Sequence, residues 1–274
     1  MRNISNARSN EQQRHLDTAL IFAVGGGEIQ KIPALLRQGA NPSALHAQPG
    51  GHGCKAQTTA LIAAASLGHE KTLRALLSSA TPGSDARNSE GDNALSAAAA
   101  AGHLASVKIL LPISDANAAN NRGQTALMLA ARHGDLECLA ELSSRSNALA
   151  KDHRGKTALM LASEEGYLRA AALLAPISDV DALDLSETSA LFQAAAWEDE
   201  AMCSLLAPLS DFAKQAASGL DLLQFLAEAK KRSEDAGPGT AAARIYAMIL
   251  SQSERQELML ALPRSKAHKQ TKSL

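Results

Sequence analysis

The sequence predicts an all-α solenoid of about seven helix-turn-helix units with short projecting hairpins or turns, and three observations carry that expectation. The segment GQTALMLAARHG, Gly123 to Gly134, returns one period later as GKTALMLASEEG, Gly155 to Gly166. Aligning on its first leucine gives Leu20, Leu61, Leu95, Leu127, Leu159, Leu191 and Leu223, with a step of 32 residues throughout from Leu95 onward. Seven residues after this anchor stand Gly27, Gly68, Gly102, Gly134 and Gly166, loosening to Glu198 and Lys230, and fifteen after it stand Leu35, Leu76, Leu110, Leu142, Leu174 and Leu206. Features locked to one register define repeated units, each too small to bury its apolar face alone.

Composition agrees with stacked thin helices. Apolar residues make up 46% of the 274 but aromatics only 3%, so the interior must be alanine and leucine packed over short distances. A formal charge of −1 lacks the basic excess that nucleic-acid binding uses. Cys54, Cys138 and Cys203 are an odd, scattered set that reads as reduced thiols in a cytoplasmic chain. The polar N-terminus MRNISNARSNEQQRHLD carries no apolar signal region, and no later stretch is long enough to span a bilayer. A signal-independent route into a host cell would leave no mark of this kind.

Each unit opens with a small polar residue before the apolar run: Thr18, Thr59, Asn93, Thr125, Thr157, Ser189 and Asp221. Their side-chain oxygens are placed to accept from the free amides of the first helical turn. Leu127, Ala130 and Ala131 then share one face of a short helix ending near Gly134, and a second helix runs from about Asp135 to Leu142. Pro112, Pro176 and Pro208 stop three second helices at the same place, because proline cannot donate the next helical hydrogen bond. The links that follow, ISDANAANNRGQ, ISDVDALDLSET and LSDFAKQAASGL, suit a turn or hairpin projecting sideways.

This pattern, G-x-T-x-L-x-x-A-A-x-x-G with a two-leucine second helix and a D-x-N type return, resembles the ankyrin repeat over roughly Leu16 to Leu250. The TALM variant and the LLPxSD return look more like bacterial members than animal ones. Alanine (Ala19, Ala60, Ala94, Ala126, Ala158, Ala190) stands where the family usually has proline, and Ile21, Ile62, Ser96, Met128, Met160 and Phe192 stand where it usually has histidine. The family's histidine network between repeats is therefore expected to be replaced by apolar contact. The expected organisation is a polar tail over 1–15, the array with C-terminal capping helices over 16–262, and a basic disordered tail over 263–274. A long Gly/Pro-containing link, Asn41 to Gln57, is expected to be mobile, and KRSEDAGPGT interrupts the last unit between GLDLLQFLAEAKK and AAARIYAMILSQ, with a further helix from about Ser253 to Leu262.

Candidate chemistry is thin. His46, His52 and Cys54 form an H-x5-H-x-C set in the long link, but the spacing matches no standard zinc site and lacks a fourth ligand. Gly25, Gly26 and Gly27 lie in register with the other inter-helix turns, with no lysine and Ser/Thr following as a phosphate loop needs. Cys138 and Cys203 fall on the leucine stripe of second helices, Glu164 and Glu165 are adjacent and cannot share a pocket, and His103 sits in a Gly-His turn. No enzyme signature, cofactor or metal is expected. The cations Arg264, Lys266, Lys269 and Lys272 lack interleaved aromatics and read as solubilising.

The resemblance implies a protein partner held by link tips and the exposed face of the first helices. Carried over position by position, the links contribute Arg87, Ser89, Glu90 and Asp92; Asn121, Arg122 and Gln124; Lys151, His153, Arg154 and Lys156; and Leu183, Leu185, Ser186 and Thr188. Helix ends contribute Arg132, His133, Glu164, Glu165 and Trp197. Arg122, Arg132, Lys151, Arg154 and Lys156 make the middle of the array locally basic, so an acidic partner surface is the implied complement. Trp197 either anchors the partner or covers the neighbouring unit. The expectation is a monomeric, non-catalytic binding module, with no nucleic acid and no membrane; an inhibitor of a partner enzyme, such as an antitoxin or immunity-type protein, and an effector acting on a host protein are the alternatives.

Overall fold

The computed structural model describes residues 2–47, 57–78, 86–212 and 240–261, and the chain divides into two compact units, Met1–His153 and Arg154–Leu274. In the first unit α1 (Arg2–Gly25) is followed by α2 (Ile32–Arg37), then by the pairs α3 (Ala60–Ser66) and α4 (Glu70–Ser78), α5 (Ala94–Ala100) and α6 (Leu104–Leu110), and α7 (Ala126–His133) and α8 (Leu136–Ser143). The second unit continues with α9 (Ala158–Glu164) and α10 (Leu168–Leu174), α11 (Ala190–Ala196) and α12 (Glu200–Leu206), and α13 (Ala241–Ala261). Two-residue strands at the ends of the long link, β1 (His46–Ala47) and β2 (Gln57–Thr58), pair antiparallel. The chain is otherwise helical among its described residues.

The helix starts follow the sequence at five units. Thr59, Asn93, Thr125, Thr157 and Ser189 have extended backbones, and each side chain accepts from the amide three residues on, those of Ile62, Ser96, Met128, Met160 and Phe192. Thr18 is different. It lies inside α1 and its hydroxyl donates to the Arg14 carbonyl at 2.7 Å, because the helix has already begun upstream. The polar stretch expected to be a tail is thus helical from Arg2, with neither Pro nor Gly to break it before Gly25. It is also tied down: the Gln13 side-chain amide donates to Asp17 Oδ1 and to the Gly39 carbonyl, both at 2.8 Å, and Asp17 Oδ1 accepts from Asn41 N at 2.6 Å. Asp221, the first helix expected of the seventh unit, the interrupting segment and the basic tail lie outside the described residues.

First helices are almost wholly interior. Every residue of 60–65, 94–99, 126–131 and 158–163 is buried, with Leu95, Leu127, Leu159 and Leu191 at 0% exposure. Alanine on most of the remaining positions lets neighbouring helices approach closely enough to cover these helices all round. Second helices bury one stripe, such as Cys138, Leu139 and Leu142 of α8, and expose the other side. The turn between the two is made by a left-handed residue, as at Gly134 (φ 70°), where the amides of Gly134 and Asp135 close back on Ala131 and Ala130 carbonyls.

Histidines do join repeats, against the expectation from the family departures, though from the turn position. A ring nitrogen of His69 meets the Val24 carbonyl at 2.9 Å and one of His103 meets the Ser66 carbonyl at 3.1 Å. A carbonyl only accepts, so those nitrogens carry the protons. The capping segment also differs from expectation, since α13 runs unbroken where two helices were read, no Pro or Gly separating Ser251 from Ser253. Ile245 and Ile249 of α13 are buried, Gln256 Nε2 donates to the Ser210 carbonyl at 2.6 Å, and Arg244 pairs with Glu200 at 2.8 Å. Hydrogen bonding by the Arg244 guanidinium holds the Glu200 carboxyl below the usual carboxylate range.

Thr72 of α4 and Ser106 of α6 occupy one register of the second helices, both at 0% exposure with hydroxyls that have no hydrogen-bond partner. In α8 the same register holds Cys138 and in α10 Ala170. Replacing a desolvated, unbonded hydroxyl by an isosteric methyl removes a penalty without changing shape. Thr72→Val should therefore raise stability by about 1 kcal/mol, seen as a higher urea midpoint at unchanged slope. A lower midpoint would show that the hydroxyl is bonded.

Candidate partner-binding surface

The links are rigid turns built on one side chain each. Asn88 Oδ1 accepts from the amides of Glu90 and Asp92, Asn120 Oδ1 from those of Arg122 and Gln124, and Asp184 Oδ1 from those of Ser186 and Thr188, at 2.8–3.0 Å. Three residues after these come the left-handed positions Gly91, Gly123 and Glu187, and Gly155 holds the same place after Asp152. The N/D-x-x-G signal that marks these turns recurs at the array's period in the sequence. Successive links also hydrogen bond through backbone. In the first unit Asn121 N donates to the Glu90 carbonyl and His153 N to that of Arg122; in the second, Leu185 N donates to that of Arg154, all at 2.9–3.0 Å.

This ladder leaves two tip side chains per link in solvent: Ser89 and Glu90, Asn121 and Arg122, His153 and Arg154, Leu185 and Ser186. Each tip is set by backbone bonds that do not depend on the side chain carried, so its chemistry is free to vary.

Not every expected contact residue is available. Arg87 Nη1 donates to the Gly91 carbonyl at 2.8 Å and, one repeat on, to that of Ala119 at 2.6 Å, clasping two links together. The Asn121 side-chain amide donates to the Ser89 carbonyl, and Arg122 pairs with Glu90 at 3.5 Å on the surface. Lys156 is a clear correction. Its side chain is 5% exposed and its ammonium lies 2.6 Å from Glu164 Oε2, beneath the link rather than on it. Gln124 at the same register is also buried, while Asp92 and Thr188 are half-buried, because this residue precedes the N-cap and is covered by its own turn. The local basic character expected of the middle links is reduced accordingly.

The expected exposed face of the first helices is likewise absent from α3, α5, α7 and α9, whose alanines close against their neighbours. What remains is an exposed residue in a single register at each C-terminal end, joined in α11 by Ala196. In the first unit these are Leu67, Ala101 and His133; in the second, Glu165 and Trp197. Arg132 is half-buried. Trp197 is 74% exposed and Leu185 77%, so the indole is not used to cover a neighbouring unit.

Cys138 and Cys203 are buried, and burial first, then the nearby carboxylates of Asp135 and Asp199, pushes both thiols up to about 12. They are packing residues, inert as nucleophiles. The H-x5-H-x-C set lies outside the described residues apart from His46, whose backbone forms β1; among the described residues no group of three or more His, Cys, Asp or Glu is placed to hold a metal.

The sequence that builds these capped first helices, left-handed turns, second helices and bonded links matches the family model described as ankyrin repeats, in three copies over residues 20–120, 79–152 and 95–184. Together these cover 20–184, or 165 of the 274 residues. The chain belongs to the ankyrin-repeat family. Ankyrin repeats are generally protein–protein interaction modules, and the family is typically non-catalytic. No curated protein matches the chain. The ankyrin match stops at Asp184, whereas α11 and α12 form one more unit with the same cap and turn. No helix among the described residues is long and apolar enough to cross a membrane.

Proposed function

We propose that the chain is a non-catalytic protein-binding module, and that the second unit holds its partner across the Arg154 and Leu185 link tips and the Trp197 helix end. The observation that carries this reading is the exposure of Leu185 and Trp197, at 77% and 74%, on a backbone held by repeated hydrogen bonds. Aromatic residues and arginines are the commonest energetic anchors of interfaces, and a preorganised surface loses little entropy when it binds. In the first unit Glu90, Arg122, His133, Lys151 and His153 are the exposed residues of the corresponding positions and are proposed as contacts there. Arg87, Asn121, Lys156 and Glu164 are reassigned to the scaffold on the strength of the bonds described above.

The test is capture of the native partner from cell lysate by the full chain and by a Trp197→Ala/Arg154→Glu variant, with far-UV circular dichroism confirming that the variant is folded. Loss of the captured protein in the variant is the expected result; undiminished capture would move the binding surface elsewhere. The identity of the captured protein then separates the specific roles. A co-encoded toxic enzyme would make the chain an inhibitor of the antitoxin or immunity type, and a host protein would make it a delivered effector, the role that fits the bacterial look of the TALM repeats.

A further inference from the structure

Among the described residues, two that are not glycine adopt positive φ, Glu187 at 58° and Glu198 at 56°. At the link position the preceding repeats use Gly91, Gly123 and Gly155, and at the inter-helix turn they use Gly27, Gly68, Gly102, Gly134 and Gly166. Glycine is the residue that takes this conformation without steric penalty, so the array has a simpler solution that this repeat does not use. The two substitutions lie beside the two most exposed large apolar side chains of the described residues: Glu187 is two residues from Leu185, and Glu198 follows Trp197.

Among the described residues, the exposed charged side chains at the C-terminal ends of α9 and α11 are carboxylates, Glu165 and Glu198. Trp197 is the C-cap of α11, its amide bonded to the Gln193 carbonyl. Glu165 is the exposed C-cap of α9, which packs against α11. Glu198 adds a carboxylate at the next residue, and the indole face itself attracts cations. Arg154, bonded by its carbonyl to Leu185 N, is the cation at the link end of this surface.

We propose that this surface takes a cationic amphipathic segment of the partner protein, its apolar side chains on Leu185 and Trp197 and its Lys or Arg side chains against Glu187 and Glu198. The proposal rests on the protein-binding reading above and narrows the partner's chemistry. The charge it assigns to the partner is opposite to the acidic surface expected from the sequence.

Trp197 is the chain's single tryptophan, so its emission reports this surface directly. The probes are a synthetic lysine–leucine peptide with amphipathic helical period and its glutamate–leucine counterpart, each titrated into the full-length chain. The lysine peptide should shift the emission to the blue with saturable binding, and the glutamate peptide should not. Because the net charge of the chain is only −1, general attraction contributes little to this contrast. Glu187→Gln/Glu198→Gln, which keeps the backbone demand but removes the charge, should weaken the lysine peptide by about three- to tenfold. Glu187→Gly/Glu198→Gly should weaken it equally while raising Tm by a few degrees. Equal binding of the two peptides, unchanged affinity in the glutamine variant, or no emission shift with the lysine peptide up to about 1 mM would each overturn the proposal. If native partner capture is lost with Trp197→Ala/Arg154→Glu but kept in the glutamine variant, the protein-binding function stands and the cationic segment falls.

Discussion

Gly155→Ala should destabilise the protein by about 3 kcal/mol, while the same change at Gly166 should cost about 1 kcal/mol. Both glycines have left-handed backbones, with φ of 77° and 73°, so each alanine meets the same intrinsic penalty. They differ in what a methyl would meet. At Gly155 the added carbon would stand 2.8 Å from Leu185 N and 3.1 Å from the carbonyl carbon and Cα of Asp184, all backbone atoms of the next link. None of these can rotate away, so the link must shift, and with it the bond from Leu185 N to the Arg154 carbonyl and the turn that Asp184 holds. At Gly166 nothing lies within 4 Å. Urea unfolding of the two variants isolates the contribution of link packing as the difference, and equal losses would mean that adjacent links do not support one another. Gly155→Ala should also weaken partner capture, since Leu185 is positioned by the displaced backbone.

Removing Glu164 should be far more damaging than removing Lys156. The ammonium of Lys156 is buried at 5% exposure against the Glu164 carboxylate, whose own side chain is 34% exposed. Taking away the carboxylate removes a close counter-charge from a cation that solvent barely reaches, and Glu164→Ala is expected to cost about 2 kcal/mol. Lys156→Met removes the desolvated charge, leaves Glu164 partly in water and fills the space with an apolar chain of similar length. That variant should change stability by less than about 1 kcal/mol in either direction. Guanidinium unfolding of both single variants and the double closes the cycle; similar losses for the two singles would mean that the lysine is worth its burial. Lys156→Met should leave partner capture intact, as befits a residue beneath the surface.

Much of the fold was legible because its determinants are local. The caps at Thr59, Asn93, Thr125, Thr157 and Ser189 act on amides three residues away, and the turn at Gly134 needs only a residue that tolerates positive φ. Thr18 misled because its chemistry is that of a cap while the chain before it is already helical, a state set by residues upstream. Glu198 misled in the opposite way. Its identity departs from the pattern but its backbone does not, because the amides of Glu198 and Asp199 close on the carbonyls of Ala195 and Ala194 as they do at the glycine turns.

Surface placement of the candidate contact residues was legible in outline but not residue by residue. Link tips and helix ends were correctly placed at the surface for Glu90, Arg122, His133, His153, Arg154, Glu165, Leu185 and Trp197. Arg87 and Asn121 are at the surface too, but their side chains bond to carbonyls 32 residues away, on the neighbouring repeat. A polar residue in a link looks the same in sequence whether it is solvated, bonded across repeats or folded beneath its own turn.

The sequence by itself determined the period, the helix starts, the left-handed turns and the alanine–leucine interior, since each depends on spacing and on backbone preferences acting within one unit. The tertiary structure decided which polar side chains remain at the surface for a partner. Arg87 spans two links because the next repeat places the Ala119 carbonyl within its reach, and Lys156 is drawn under its link by Glu164 at the far end of its own first helix. Burial of a polar group is tolerable only where such a partner is waiting, and whether one is waiting is decided by the folded backbone rather than by residue type.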